Sequence, residues 1–131
     1  MAEPTAKNPA LTDQQKDILF NKCTEAPFSS DFVDSDKKGM YTCANCGAEL
    51  FASDSMYHSD TPGLAGWPSF SEVAESGSVQ FVPDNSLGMS RTEVICSNCG
   101  GHLGHVFDES ISPSGKHFCI NGCVLDFKPK K

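Results

Sequence analysis

Basic residues are scarce in this sequence. Ten Lys and Arg stand against seventeen Asp and Glu, giving a formal charge of −7 and a pI near 4.9. The only cluster of basic residues is Lys128, Lys130 and Lys131 in the tail. A chain so charged has no phosphate-tracking surface, which argues against nucleic acid as a partner. Long apolar runs are missing too. No stretch approaches the roughly 20 apolar residues that span a bilayer, and the opening MAEPTAKNPALTDQQ has no apolar core of signal-peptide length. No membrane association is expected, and a cytoplasmic, reducing location is. There is also no low-complexity tract, no long helical pattern and no internal repeat beyond a duplicated CxxC unit. With 38% hydrophobic and 9% aromatic residues in 131, the composition suits one folded domain with a real core.

That domain is expected over 1–131, with a flexible arm at 1–10, an N-terminal helical segment at 11–36 and a β core at 37–131. Thr12 followed by Gln15 is a capping-box pattern, and Ile18, Leu19 and Cys23 recur at helical spacing, so a short helix is predicted from about 13 to 22. Past Pro27 the apolar runs shorten and are separated by Gly, Pro, Asn and Ser: MYTC, ELFA, VQFV, TEVIC, HVF, HFCI and VLDF. Such runs predict strands in antiparallel sheets. The fold class is therefore mainly β with a short N-terminal helix.

What the chain does have is cysteine, seven in all. In a reducing compartment these read as metal ligands or catalytic thiols before they read as a disulfide framework, and an odd number leaves at least one unpaired. CANC at Cys43 and Cys46 and CSNC at Cys96 and Cys99 form C-x2-C-x49-C-x2-C. Each CxxC lets a tight knuckle aim two thiolates at one ion, and two knuckles complete a tetrahedral sulfur cage, so one structural Zn2+ is expected. Four thiolates also accept iron. Gly47 and Gly100, directly after each second cysteine, supply permissive backbone for such turns. A thioredoxin-like redox dithiol would need a single CxxC opening a helix in a βαβ unit, whereas these two sit among strands.

Cys23, Cys119 and Cys123 remain. If HFCINGC is extended, His117, Cys119, Asn121 and Cys123 share one face, and the four residues from Cys119 to Cys123 span ~13 Å. Bridged cysteines need Cα atoms within ~7 Å, so these two should not pair unless the strand breaks. Upstream, GGHLGHVFDES offers His102 and His105, two imidazoles able to lower a cysteine pKa and supply an acid. Singly, each histidine or cysteine is more often structural; in combination they suggest a reactive thiol.

GWPSF at Gly66–Phe70, the paired CxxC knuckles, GHLGHVF ending at Phe107, FCIN at Phe118–Asn121 and TEAPF at Thr24–Phe28 together resemble the B-type methionine sulfoxide reductases, from about Leu11 to Phe127. The resemblance implies two antiparallel sheets, a structural zinc away from the reaction centre, and thiol-dependent reduction of methionine-R-sulfoxide, protein-bound or free. It implies Cys119 as nucleophile, His102 and His105 as the groups that orient water and protonate the sulfoxide oxygen, and Asn121 as the holder of that polar network. Trp67 would receive the substrate methyl, with Phe107 and His117 also on the substrate side. The chemistry is coherent: a sulfoxide becomes electrophilic at sulfur only when its oxygen is protonated or strongly hydrogen-bonded.

The chain departs from the family pattern in three places. Ala65 stands before GWPSF where the family commonly has a cysteine, His117 stands where it often has Arg, and Gly122 replaces a usual Ser. After Cys119 becomes a sulfenic acid, recycling therefore falls to Cys23, to Cys123, or directly to thioredoxin or a similar external reductant. Cys23 is the preferred resolving thiol because it precedes TEAPF on a loose segment. The rival readings are a zinc-stabilised β module that only binds a partner, and a sensor in which the knuckle thiols themselves react.

Overall fold

The computed structural model of the chain describes residues 8–21, 23–25, 32, 38–57, 66–74, 78–84, 91–108 and 114–129. Helix α1 runs Asp13–Asn21. Its start is a reciprocal capping box: the Gln15 N–H donates to Thr12 Oγ1 at 3.1 Å and the Thr12 N–H to Gln15 Oε1 at 2.8 Å, which satisfies donors the first turn leaves open. Ile18 and Leu19 are buried, and the helix packs on strand and turn elements of the larger sheet's end. With nine residues it is far short of a span, and no helix among the described residues is long and apolar enough to cross a membrane.

Eight strands follow among the described residues: β1 Gly39–Cys43, β2 Glu49–Ala52, β3 Ser69–Phe70, β4 Val79–Asp84, β5 Arg91–Cys96, β6 His102–Asp108, β7 Lys116–Ile120 and β8 Leu125–Pro129. They form two sheets, one ordered β2-β1-β8 and one ordered β3-β7-β6-β5-β4, with every pairing antiparallel. Each of the seven apolar runs expected to be extended lies on a strand, one overlapping the turn before β8. The short β3, inside GWPSF, is the strand the periodicity did not reveal; two residues carry no readable alternation.

The core lies between the sheets. Phe51 of β2 stacks on Phe70 of β3 with ring centroids 4.5 Å apart, and Tyr41 of β1 meets Phe70 edge-on at 5.2 Å. Phe118 of β7 closes on Phe51 at 5.8 Å. Tyr41, Phe51 and Phe70 have no exposed surface, and truncating such a ring costs about 3–5 kcal/mol. Because side chains alternate along a strand, Phe118 and Ile120 pointing into this core turn His117 and Cys119 to the opposite face of the larger sheet. The site is built there.

Candidate active site and metal centre

Both CxxC knuckles are hairpin turns, one between β1 and β2, the other between β5 and β6. They fold alike: Gly47 N–H donates to Cys43 O and Gly100 N–H to Cys96 O, each at 2.8 Å. Gly47 and Gly100 sit at φ 81° and 77°, the left-handed region that only glycine enters cheaply. The four Sγ atoms all lie within 4.8 Å of one another, with Cys43 to Cys99 at 3.8 Å and Cys46 to Cys96 at 3.5 Å. Sulfurs at the corners of a tetrahedron with ~2.3 Å metal–sulfur bonds are about 3.8 Å apart, so the donor set fits one ion. One knuckle belongs to each sheet, so an ion held by all four would join the two. Hydrogen bonding to Cys96 and Cys99, together with burial, pushes the Cys43 thiol far up, while bonds from Cys43 and Cys96 hold Cys99 down at about 2. A bound cation supplies the charge that lets all four ionise.

The second constellation follows from register. Cys119 on β7 lies directly opposite His105 of β6 on one side and Ser69 of β3 on the other. Trp67 stands two residues before Ser69, and Phe107 pairs with His117. His102 and His105, three apart, would face opposite sides of a regular strand. A register shift opposite Val94 and Ile95 removes that conflict, since Val94 pairs with Gly104 and Ile95 with His102, leaving Leu103 as the extra residue of a bulge. The two imidazoles consequently meet edge-on with centroids 5.4 Å apart.

A cavity of about 90 Å³ gathers Cys119, His105, Asn121, Trp67 and Phe107, with Thr24, Gly104 and Arg91 completing its wall. That is the liquid volume of about three waters, enough for the end of one small side chain. Its lining mixes the aromatic rings of Trp67 and Phe107 with the polar side chains of His105, Asn121 and Arg91, so it offers both apolar and hydrogen-bonding surface to one small group. The four knuckle cysteines are not among its lining residues.

The structure distributes the remaining expected residues unevenly. His105 reaches the cavity, and its Nε2 is 2.7 Å from Asp84 Oδ2, the oxygen that also accepts from Arg91 Nη2 at 3.3 Å. His102 lies behind it, buried, with Nδ1 2.7 Å from Glu93 Oε2. His117 is buried behind Phe107, its ring edge-on to Phe107 at 6.5 Å and to Tyr57 at 5.4 Å. Asn121 spends its side chain on the protein: Nδ2 donates to Leu103 O and Oδ1 accepts from the Glu25 N–H, both at 2.9 Å. Cys119 is half-buried and Cys23 exposed, next in sequence to Thr24 of the cavity wall.

Cys123 does not continue the strand. The extended stretch ends after Ile120, and Gly122–Val124 form a single 3-10 turn, so Cys123 leaves the face shared by His117 and Cys119. Glu25 caps that turn: its carboxylate accepts from the Gly122 and Cys123 N–H groups, each at 2.9 Å. Burial, and then this carboxylate beside it, push the Cys123 thiol up to about 12. Cys123 is half-buried and does not line the cavity.

Sequence reasoning missed Glu25, Asp84, Arg91 and Glu93. Glu93 carried a signal, a charge inside the apolar run TEVIC. Asp84 and Arg91 become partners only once β4 and β5 pair in register. Glu25 contacts a residue 96 positions away, which no local pattern encodes. Ala65 lies outside the described residues.

Set against known proteins, residues 11–129 match the SelR domain. The chain is 48% identical over 121 residues to the peptide methionine sulfoxide reductase MsrB of Methanosarcina barkeri, covering 92% of this chain and 82% of that protein. To the MsrB of Methanosarcina mazei it is 49% identical over 117 residues, 89% of this chain and 81% of the relative. To the human mitochondrial methionine-R-sulfoxide reductase B2 it is 44% identical over 128 residues, 92% of this chain and 68% of the relative.

Proposed function

This chain belongs to the SelR domain family, and on that premise we propose that it reduces methionine-R-sulfoxide to methionine with Cys119 as the nucleophile. The observation that carries the proposal is the row across three strands that sets Cys119 opposite His105 and beside the segment bearing Trp67. Trp67 and Phe107 take the substrate methyl, His105 with His102 behind it protonates the sulfoxide oxygen, and Asn121 holds the wall between them. With methyl and oxygen fixed, only one epimer presents its sulfur to Cys119. Two electrons pass from the Cys119 thiolate to the substrate sulfur, methionine leaves, and the oxygen remains on Cys119 as a sulfenic acid.

Cys23 then resolves that acid, its thiol forming a disulfide with Cys119 and releasing water. Its reach is supported by sequence adjacency to Thr24 on the cavity wall, since neighbouring Cα atoms are ~3.8 Å apart. A thioredoxin-type dithiol restores both thiols. Cys43, Cys46, Cys96 and Cys99 hold one zinc ion, which supplies structure and no open ligand position. The seven cysteines are all unbridged, which suits a reducing cytoplasmic setting.

Separate incubations with the R and S epimers and excess dithiothreitol test the proposal by methionine release. Turnover of R alone, abolished in Cys119→Ser, is expected. Equal turnover of both epimers, or activity surviving in Cys119→Ser, would overturn it, and binding without release would leave a ligand-binding module.

A further inference from the structure

Glu25 makes four hydrogen bonds beside the cavity, yet it belongs to none of the roles above. It is 3% exposed. Its N–H donates to Asn121 Oδ1 at 2.9 Å, and its carbonyl oxygen accepts from Trp67 Nε1 at 3.0 Å. Its carboxylate takes the two N–H groups at the head of the 122–124 turn. That turn's own cap residue, Asn121, makes no side-chain capping bond, so the carboxylate supplies the acceptors from across the chain. A buried carboxylate is costly unless hydrogen-bonded, and an anion is favoured where N–H groups converge, so residue 25 is held where its main chain meets both cavity residues.

We propose that Glu25 is a positioning residue for the Cys119 site: its main chain sets Trp67 and Asn121 in the cavity wall, and its carboxylate pins the 122–124 turn so that Cys123 takes no part in recycling Cys119. The part concerning recycling rests on the reductase reading. Cys123 is only four residues from Cys119; a strand continued through 123 would hold the pair ~13 Å apart, but the 3-10 turn has already broken the strand, so loosening that turn without extending it lets the Cys123 thiol condense with the Cys119 sulfenic acid to give a disulfide and water, with no oxidant beyond the substrate. The pin leaves Cys23, on the same segment as Glu25, as the thiol that resolves.

Glu25→Gln and Glu25→Ala test this with three readouts. In the folded protein, labelling of Cys123 by iodoacetamide should accelerate at least about tenfold in both variants while Cys23 labelling stays level. Emission of Trp67, the one tryptophan, should shift once its N–H partner moves. With methionine-R-sulfoxide, kcat should fall by on the order of 100-fold, and a Cys119–Cys123 disulfide should appear. Labelling and emission need no turnover, so they stand even if the protein reduces no sulfoxide. Unchanged Cys123 labelling in Glu25→Gln overturns the pin, and unchanged emission with kcat within about twofold overturns the positioning role. If neither variant folds, Glu25 is purely structural and the proposal fails.

Discussion

Stripping the metal from the four-cysteine centre should destabilise the whole domain, and the structure gives the size of the effect. Cys46 and Cys96, 50 residues apart, sit in hairpins of different sheets, so an ion bound to both closes a long loop in the unfolded chain. Treated as a cross-link over that separation, closure is worth about 4 kcal/mol at 25 °C. Domains have only about 5–15 kcal/mol in hand, so a large fraction of the stability depends on the ion. For 131 residues the melting temperature should drop by roughly 15 °C. Thermal unfolding by circular dichroism, with and without a strong chelator and again after adding zinc, measures this. Cys96→Ser should match the chelated protein and not respond to zinc. A chelated protein melting within about 2 °C of the loaded one would show that the ion joins nothing and refute the reasoning.

Further outcomes are expected at single residues. Gly104→Ala should cost about 1–3 kcal/mol and most of the activity, because a Cβ there would collide with the Cys119 carbonyl oxygen and force β6 from β7; an unchanged urea midpoint would contradict it. Folding raises Cys123 from 9.0 to about 12, so its stabilising share is full below pH 9 and lost as pH climbs toward 12. Its thiolate should accordingly be rare at pH 8.5, and iodoacetamide followed by mass spectrometry should mark exposed Cys23 well before Cys123. Cys123→Ser should leave methionine-R-sulfoxide turnover within about twofold, and a loss comparable to that of Cys119→Ser would contradict the assignment.

Elements that announce themselves over neighbouring residues were legible in the sequence. Thr12 and Gln15 marked the helix start because a capping box needs only two residues three apart. The knuckles were legible for the same reason: spacing, thiols and following glycines are all local. The cavity is a matter of register. Gly104 inside β6 and Asn121-Gly122 beside Cys123 are local signs of a bulge and a turn, but neither says which residue is displaced or which face it then takes. That turn is also capped by a carboxylate 98 residues upstream. Long-range pairings of this kind depend on how strands align, which composition and periodicity leave open.

The most direct test of the central claim is a single turnover without reductant. The protein is mixed with one equivalent of R- or S-methionine sulfoxide, quenched, and analysed for methionine and for linked cysteine peptides. The account predicts about one methionine per chain from the R epimer alone, together with a Cys23–Cys119 disulfide. Methionine from the S epimer, or methionine from R with Cys119 still a free thiol, would contradict it.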